Sequence, residues 1–153
     1  MISVRQIEDG ELKQKISFNI LDQLKDWFEV DEPRLAYSRD SVDKLFWAAF
    51  DGDKEVGFVY LKETGKDTIE LAVIGVLKEY HRDGIGRKLF DAACQKAKEL
   101  GYSFIQVKTV KMGVYEEYDR TNMFYIGLGF KEFEVIPSIW NEANPCQIYV
   151  KEL

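Results

Sequence analysis

The stretch Val76-Leu77-Lys78-Glu79-Tyr80-His81-Arg82-Asp83-Gly84-Ile85-Gly86-Arg87-Lys88-Leu89 decides how this chain is read. A strand ends near Val76, a short loop follows, and a helix begins at Ile85. Ile85, Leu89, Ala93, Ala97 and Leu100 then recur on one helical stripe, with Lys88, Asp91, Gln95 and Lys98 on the other side. Gly101 stops that helix, and Lys96 and Lys98 stand in its last turn, beside the negative end of the dipole. Ser103–Val110 reads as a buried strand, and Thr68–Val76 upstream reads as another. Strand, helix, strand across residues 68–110 is a βαβ unit, so its two strands are predicted to be parallel.

The loop between them is suited to an anion. Gly84 and Gly86 let the backbone approach a ligand closely and take unusual dihedrals. The first N–H groups of a helix have no intrahelical partner and carry the positive dipole end, where a phosphate or diphosphate binds well. His81, Arg82, Arg87 and Lys88 add positive charge around the same point. The spacing is not that of either common nucleotide loop. Gly-x-x-x-x-Gly-Lys-Ser/Thr is absent, and Leu89 stands where the dinucleotide fingerprint needs its third glycine.

On either side of this unit the patterns are simpler. Ile2–Ile7 alternates like a strand, and Ile16, Ile20, Leu21, Leu24, Trp27 and Phe28 line one face of a helix. Glu29–Pro33 reads as an acidic turn that ends it, since Pro33 cannot continue a helix. Lys44–Phe50 and Val56–Lys62 are apolar runs joined by Asp51-Gly52-Asp53, a strong hairpin signal. A second turn, Thr64-Gly65-Lys66-Asp67, leads on to Thr68–Val76, so the first half is an antiparallel meander. Beyond residue 110, Thr121–Leu128 reads as a short helix closed by Gly129, followed by strands Phe130–Ile136 and Gln147–Lys151. The fold class is α/β (α+β) with a mixed sheet.

Composition narrows the function. The length of 153 residues suits one domain, and a hydrophobic share of 46% excludes wholesale disorder. No apolar run approaches the ~20 residues of a membrane helix, and the start lacks the basic and apolar regions of a signal peptide, so a cytoplasmic protein without membrane contact is expected. Net charge is −6, which disfavours nucleic acid as a partner. Residues 81–88 nonetheless carry three Lys/Arg against one Asp, a local +2 within a remainder of −8. Cys94 and Cys146 form neither a metal cluster nor a disulfide framework, and each reads as a structural free thiol. A single histidine, His81, argues against a histidine triad or a zinc hydrolase, and no metal is expected.

His81-Arg82-Asp83-Gly84-Ile85-Gly86 resembles the Arg/Gln-x-x-Gly-x-Gly/Ala signature of the GNAT superfamily, the acetyl-CoA-dependent N-acetyltransferases. Leu71–Tyr80 looks like that family's fourth strand and its lead into the loop. Phe124-Tyr125-Ile126-Gly127-Leu128-Gly129-Phe130 is similar to its Phe-Tyr-x-x-x-Gly-Phe signature, and Trp140 with Asn144-Pro145-Cys146 resembles the ending of a bacterial subgroup. Two positions depart from the pattern: His81 replaces Arg or Gln, and Tyr118 stands where an asparagine is often found ahead of the tyrosine.

The resemblance implies a single domain over residues 1–153, with a mostly antiparallel sheet and helices on both faces. It implies acetyl-CoA as cofactor, its pyrophosphate held by backbone N–H groups of Gly84, Ile85, Gly86 and Arg87 in the loop that also holds His81, Arg82 and Asp83. The pantetheine arm would follow Ile74 and Val76. Tyr125 would be the general acid for the departing thiolate, although a core aromatic would occupy the same place. Glu70, on the same face as Ala72 and Ile74, is the candidate base or else a solvent-facing strand residue. Glu116 and Glu117, in a polar loop before a helix, are the alternatives. The acceptor would be a primary amine of a small molecule, peptide or protein, attacking directly in a ternary complex, and homodimers are common in the family. Trp27, Phe28, Tyr37 and Trp47 would line the acceptor site or form core. Two other readings stay open: a CoA-binding sensor or interaction domain without turnover, and another enzyme that holds a phosphate ligand on the same helix.

Overall fold

The computed structural model describes residues 1–24 and 32–153, so Trp27, Phe28 and the Glu29–Asp31 part of the expected turn lie outside the described residues. The elements run β1 (Ile2–Ile7), α1 (Gly10–Gln23), α2 (Glu32–Asp40), β2 (Leu45–Asp51), β3 (Lys54–Glu63), β4 (Thr68–Val76), α3 (Ile85–Glu99), β5 (Phe104–Val110), α4 (Glu116–Gly127), β6 (Lys131–Asn141) and β7 (Asn144–Glu152). Seven strands form one sheet in the order β1-β2-β3-β4-β5-β7-β6. Every neighbouring pair is antiparallel except β4–β5, the parallel pair expected from the βαβ pattern.

Helices cover both faces. A Cβ placed on Gly57 would stand 3.2 Å from Leu89 of α3, whereas one on Gly75 would stand 3.5 Å from Ile20 of α1. Gly75 pairs with Phe58, the residue after Gly57, so these two directions are opposite sides of the sheet. On the α1 side Phe46, Phe58 and Tyr60 stack, with centroids 5.5 and 6.2 Å apart from Phe46. Trp47 is buried core. Asp51-Gly52-Asp53 makes the expected hairpin, with Gly52 at φ +61°.

Two helices differ from expectation. Pro33 does not end a helix: α1 stops at Gln23, and Pro33 stands in the first turn of α2, where a missing N–H costs nothing. Among the described side chains of α2 the buried ones are Arg34 and Ser38, one turn apart and both polar, so no hydrophobic stripe announces it. α4 begins at Glu116, well before Thr121, and its first turn carries Glu116, Glu117 and Asp119 against the positive dipole end. Glu116 and Glu117 are therefore helical, not loop residues.

Candidate functional site

β4 and β5 pair only from Thr68–Glu70 to Phe104–Gln106. From there they diverge, β4 running on beside β3 and β5 beside β7. A cleft of about 1090 Å³ opens in the gap, lined by Ala72–Val76, Lys108–Val110, His81, Arg82, Gly84–Gly86 and one side of α4. The main chain of β4 supplies polar groups to it. Leu77 N–H donates to Val56 O of the β3 side at 2.9 Å, and strand alternation then turns the main-chain groups of Val76 and Ile74 toward the gap. Val76 O accepts from His81 Nε2 at 2.7 Å, which folds the loop back on the strand and places the proton on Nε2.

The loop enters α3 through two left-handed residues, Arg82 at φ 77° and Gly84 at φ 75°. Arg82 is the one non-glycine residue with positive φ among the described residues. Gly84 is the N-cap of α3 and offers no capping side chain, so the first helical N–H groups are left to the cleft. A Cβ on Gly84 would meet nothing within 4 Å. Gly86 differs from expectation. Its φ is not positive, and an added Cβ would stand 2.8 Å from the Phe124 ring, so this glycine serves the contact between α3 and α4. The Arg87 guanidinium does not line the cleft, donating to Gly127 O at the end of α4 at 2.8 Å. Asp83 and Lys88 are exposed and do not line the cleft.

Tyr125 lies in the cleft wall, 6% exposed, with its ring near Phe124, Phe130 and Tyr149. Burial, reinforced by Tyr118 and Glu70, pushes its phenol well above the ordinary tyrosine range, so it keeps its proton at neutral pH. Three residues earlier, buried Asn122 accepts from Tyr149 Oη at 2.6 Å and donates to Val110 O at 2.9 Å, fastening α4 to β7 and β5. Nothing in the sequence reading marked Asn122; its signal is an amide one helical turn before the tyrosine.

Glu70 is placed differently from expectation. The register shift between Tyr60 and Leu61 inserts Ala72 as an extra residue in β4. Glu70 opposite Lys62 therefore shares a face with Phe58 and Tyr60, while Ile74 opposite Val59 is on the other face. Glu70 does not line the cleft directly. Its Oε1 accepts from Lys108 Nζ at 2.6 Å, and Lys108 is the member that lines the cleft. Lys108 also went unmarked, although a lysine inside the buried run Ile105–Val110 is its signal. Glu117 reaches the cleft lining, whereas Glu116 stands 3.7 Å from Arg120 on its own helix. Tyr37, Trp140, Asn141 and Asn144 also belong to the lining. Burial pushes the Cys94 thiol up to about 12 and raises that of Cys146, so neither is a thiolate at neutral pH.

The chain matches the family model of the acetyltransferase (GNAT) domain over residues 42–132, more than half its length. It is 29% identical over 100 residues to the uncharacterized N-acetyltransferase YvbK of Bacillus subtilis (strain 168); the match spans 62% of this chain and 62% of that relative. A GNAT-family structure from Desulfovibrio desulfuricans superimposes with a TM-score of 0.85 at 18% identity, covering 99% of each chain. The PaiA N-acetyltransferase of Thermoplasma acidophilum, solved in complex with coenzyme A, gives 0.73 at 19% identity over 100% of this chain and 99% of that one. The diverging strands, the glycine loop at the start of α3 and the tyrosine of α4 thus sit within the matched segment, and the chain belongs to the GNAT acetyltransferase family.

Proposed function

We propose that this protein is an acetyl-CoA-dependent N-acetyltransferase that acetylates a primary amine by direct attack in a ternary complex. The observation that carries the reading is the gap between β4 and β5, walled by Tyr125 and ending at the uncapped N-terminus of α3. The cleft fits CoA in chemistry as well as size. Its loop end has outward N–H groups and the cations Arg82 and Lys78 for a pyrophosphate, and its β4 wall has the main chain of Ile74 and Val76 for an amide-bearing arm. Acetyl-CoA bound there supplies an acetyl thioester.

The chain's own groups then have distinct tasks. Gly84–Arg87 hold the anion through backbone N–H groups, with Arg82 and His81 beside them. Tyr125 supplies the proton that the departing thiolate takes up, and Glu70, set behind Lys108, receives through water the one the amine gives up, as the C–N bond forms and the C–S bond breaks. The known CoA complex of a relative with the same fold supports the cofactor class. The test has two arms. Millimolar CoA should raise the Tm of the full chain, because a ligand of the native state stabilises it. Some amine in a broad panel should then release free thiol from acetyl-CoA. Absence of the Tm shift would sink the reading, and a shift without thiol release would favour a CoA-binding domain that lacks turnover.

A further inference from the structure

Among the described residues two primary amines line the cleft, Lys78 and Lys108. Lys78 is exposed, in the short turn that follows β4. Lys108 stands two residues beyond Gln106, where the pairing of β5 with β4 stops and the strands begin to part. Its Nζ donates to Glu70 Oε1 at 2.6 Å, and the side chains of the pair are 29% and 14% exposed. The geometry points to Lys108 as an acetyl acceptor in its own right: each chain acetylates this lysine in its own cleft, once. The inference rests on the acetyltransferase reading and adds a modification site to it.

A base is already in contact with this amine. An ammonium must shed a proton before its nitrogen can attack, and Lys108 holds a carboxylate at hydrogen-bond distance. An external amine has no such direct partner in Glu70, which does not line the cleft. The proton donor is near as well. The ring of Tyr125 lies 6.3 Å from that of Tyr149, and Tyr149 pairs with Val107, the residue before Lys108. Glu70 adds to the burial that raises the Tyr125 phenol, so all three groups share one locality. A side chain tethered to the cleft wall also meets a bound thioester at high effective concentration.

Lys108 Nζ passes one proton to Glu70 and attacks the carbonyl carbon of the acetyl thioester. As the C–N bond forms the C–S bond breaks, and the electron pair stays on sulfur, which is protonated by Tyr125. The second ammonium proton restores the Tyr125 phenol. The products are N-acetylated Lys108, free CoA thiol and one proton, which leaves from Glu70. An amide does not pass its acetyl group on, so the reaction stops at one acetyl per chain.

The test incubates the full chain with acetyl-CoA at neutral pH and follows each lysine by peptide mass spectrometry. Lys108 should gain an acetyl group roughly tenfold faster, or more, than exposed Lys66, which reacts unaided and serves as the internal reference. The rate constant should not depend on protein concentration, since each chain acts on itself. Excess unacetylated CoA should protect Lys108 and leave Lys66 unaffected. Glu70→Gln should slow the Lys108 reaction roughly 10²-fold, again with Lys66 unchanged. Lys108→Arg keeps a cation beside Glu70, so its CoA-induced Tm shift should match that of the wild type while uptake falls to the reference level. Labelling of Lys108 no faster than Lys66, undiminished by CoA or in Glu70→Gln, or accelerating with protein concentration overturns the proposal. If CoA then still raises Tm and another amine still releases thiol, the acetyltransferase reading stands. If CoA raises no Tm, both fall.

Discussion

Gly86 in the first turn of α3 lies against the ring of Phe124 in α4, so closely that a Cβ at Gly86 would stand 2.8 Å from Cζ. The two signature segments of the chain meet at this contact between residues 38 positions apart, and both residues line the cleft. The ring's edge is the part that must give way. Gly86→Ala gains about 1 kcal/mol of helix propensity, which offsets much of the crowding in the fold itself. The displaced ring turns into the cleft instead. Tm should stay near that of the wild type while CoA affinity falls roughly tenfold, equivalent to about 1.4 kcal/mol. Phe124→Leu in the Gly86→Ala background should recover most of the affinity; isothermal titration checks both steps.

Arg82 presents the reverse case, a backbone position that is strained and a side chain that is useful. Holding a non-glycine residue at φ 77° typically costs on the order of 1 kcal/mol. Arg82→Gly relieves this, so denaturant unfolding should show equal or slightly higher stability. CoA affinity should nevertheless fall, and its dependence on salt should weaken, because one cation has left the anion end of the cleft. A variant less stable than the wild type, with unchanged affinity, would remove both parts of this account.

The segments just discussed were largely legible in the sequence, because local chemistry decides them. Asp51-Gly52-Asp53 forms its hairpin, α3 starts at Ile85 as its stripe indicates, and β4 and β5 are parallel because a helix joins them. What escaped depends on partners distant in sequence. The face of Glu70 is set by the extra residue Ala72 in the pairing of β4 with β3, and simple alternation predicts the wrong side. Lys108 meets Glu70 across 38 positions, a contact no local pattern announces. α2 was invisible for a different reason: the buried residues among its described side chains are Arg34 and Ser38, so hydrophobic periodicity has nothing to detect.

Asn122 is fully buried and makes three hydrogen bonds, to Tyr149 Oη, Val110 O and Tyr118 O. Asn122→Ala leaves the Tyr149 hydroxyl and a strand carbonyl without partners inside the protein. Such a loss costs about 2–4 kcal/mol. Replacing Tyr149 by Phe as well removes one of those orphaned groups, so the double variant should be less destabilised than the sum of the singles. A double-mutant cycle by urea unfolding measures that coupling. Strict additivity would show that the 2.6 Å contact contributes nothing.

Tyr125 ties stability and turnover to pH in opposite directions from a carboxylate. Its folded phenol ionises well above the unfolded value near 10, chiefly because of burial, and Tyr60 is displaced the same way by burial and by Asp40. A group with a raised folded pKa contributes stability that is complete below the unfolded pKa. That stability is lost as pH climbs from there toward the folded pKa, because the unfolded chain then sheds protons that the native chain retains. Stability should therefore be insensitive to these two groups through neutrality and decline above about pH 10, with a shallower decline in Tyr125→Phe. The same substitution should lower kcat roughly 10²- to 10⁴-fold at neutral pH with CoA affinity retained, since it removes the proton donor and leaves the ring. Equal loss of CoA affinity and kcat would instead make Tyr125 a packing residue of the cleft wall.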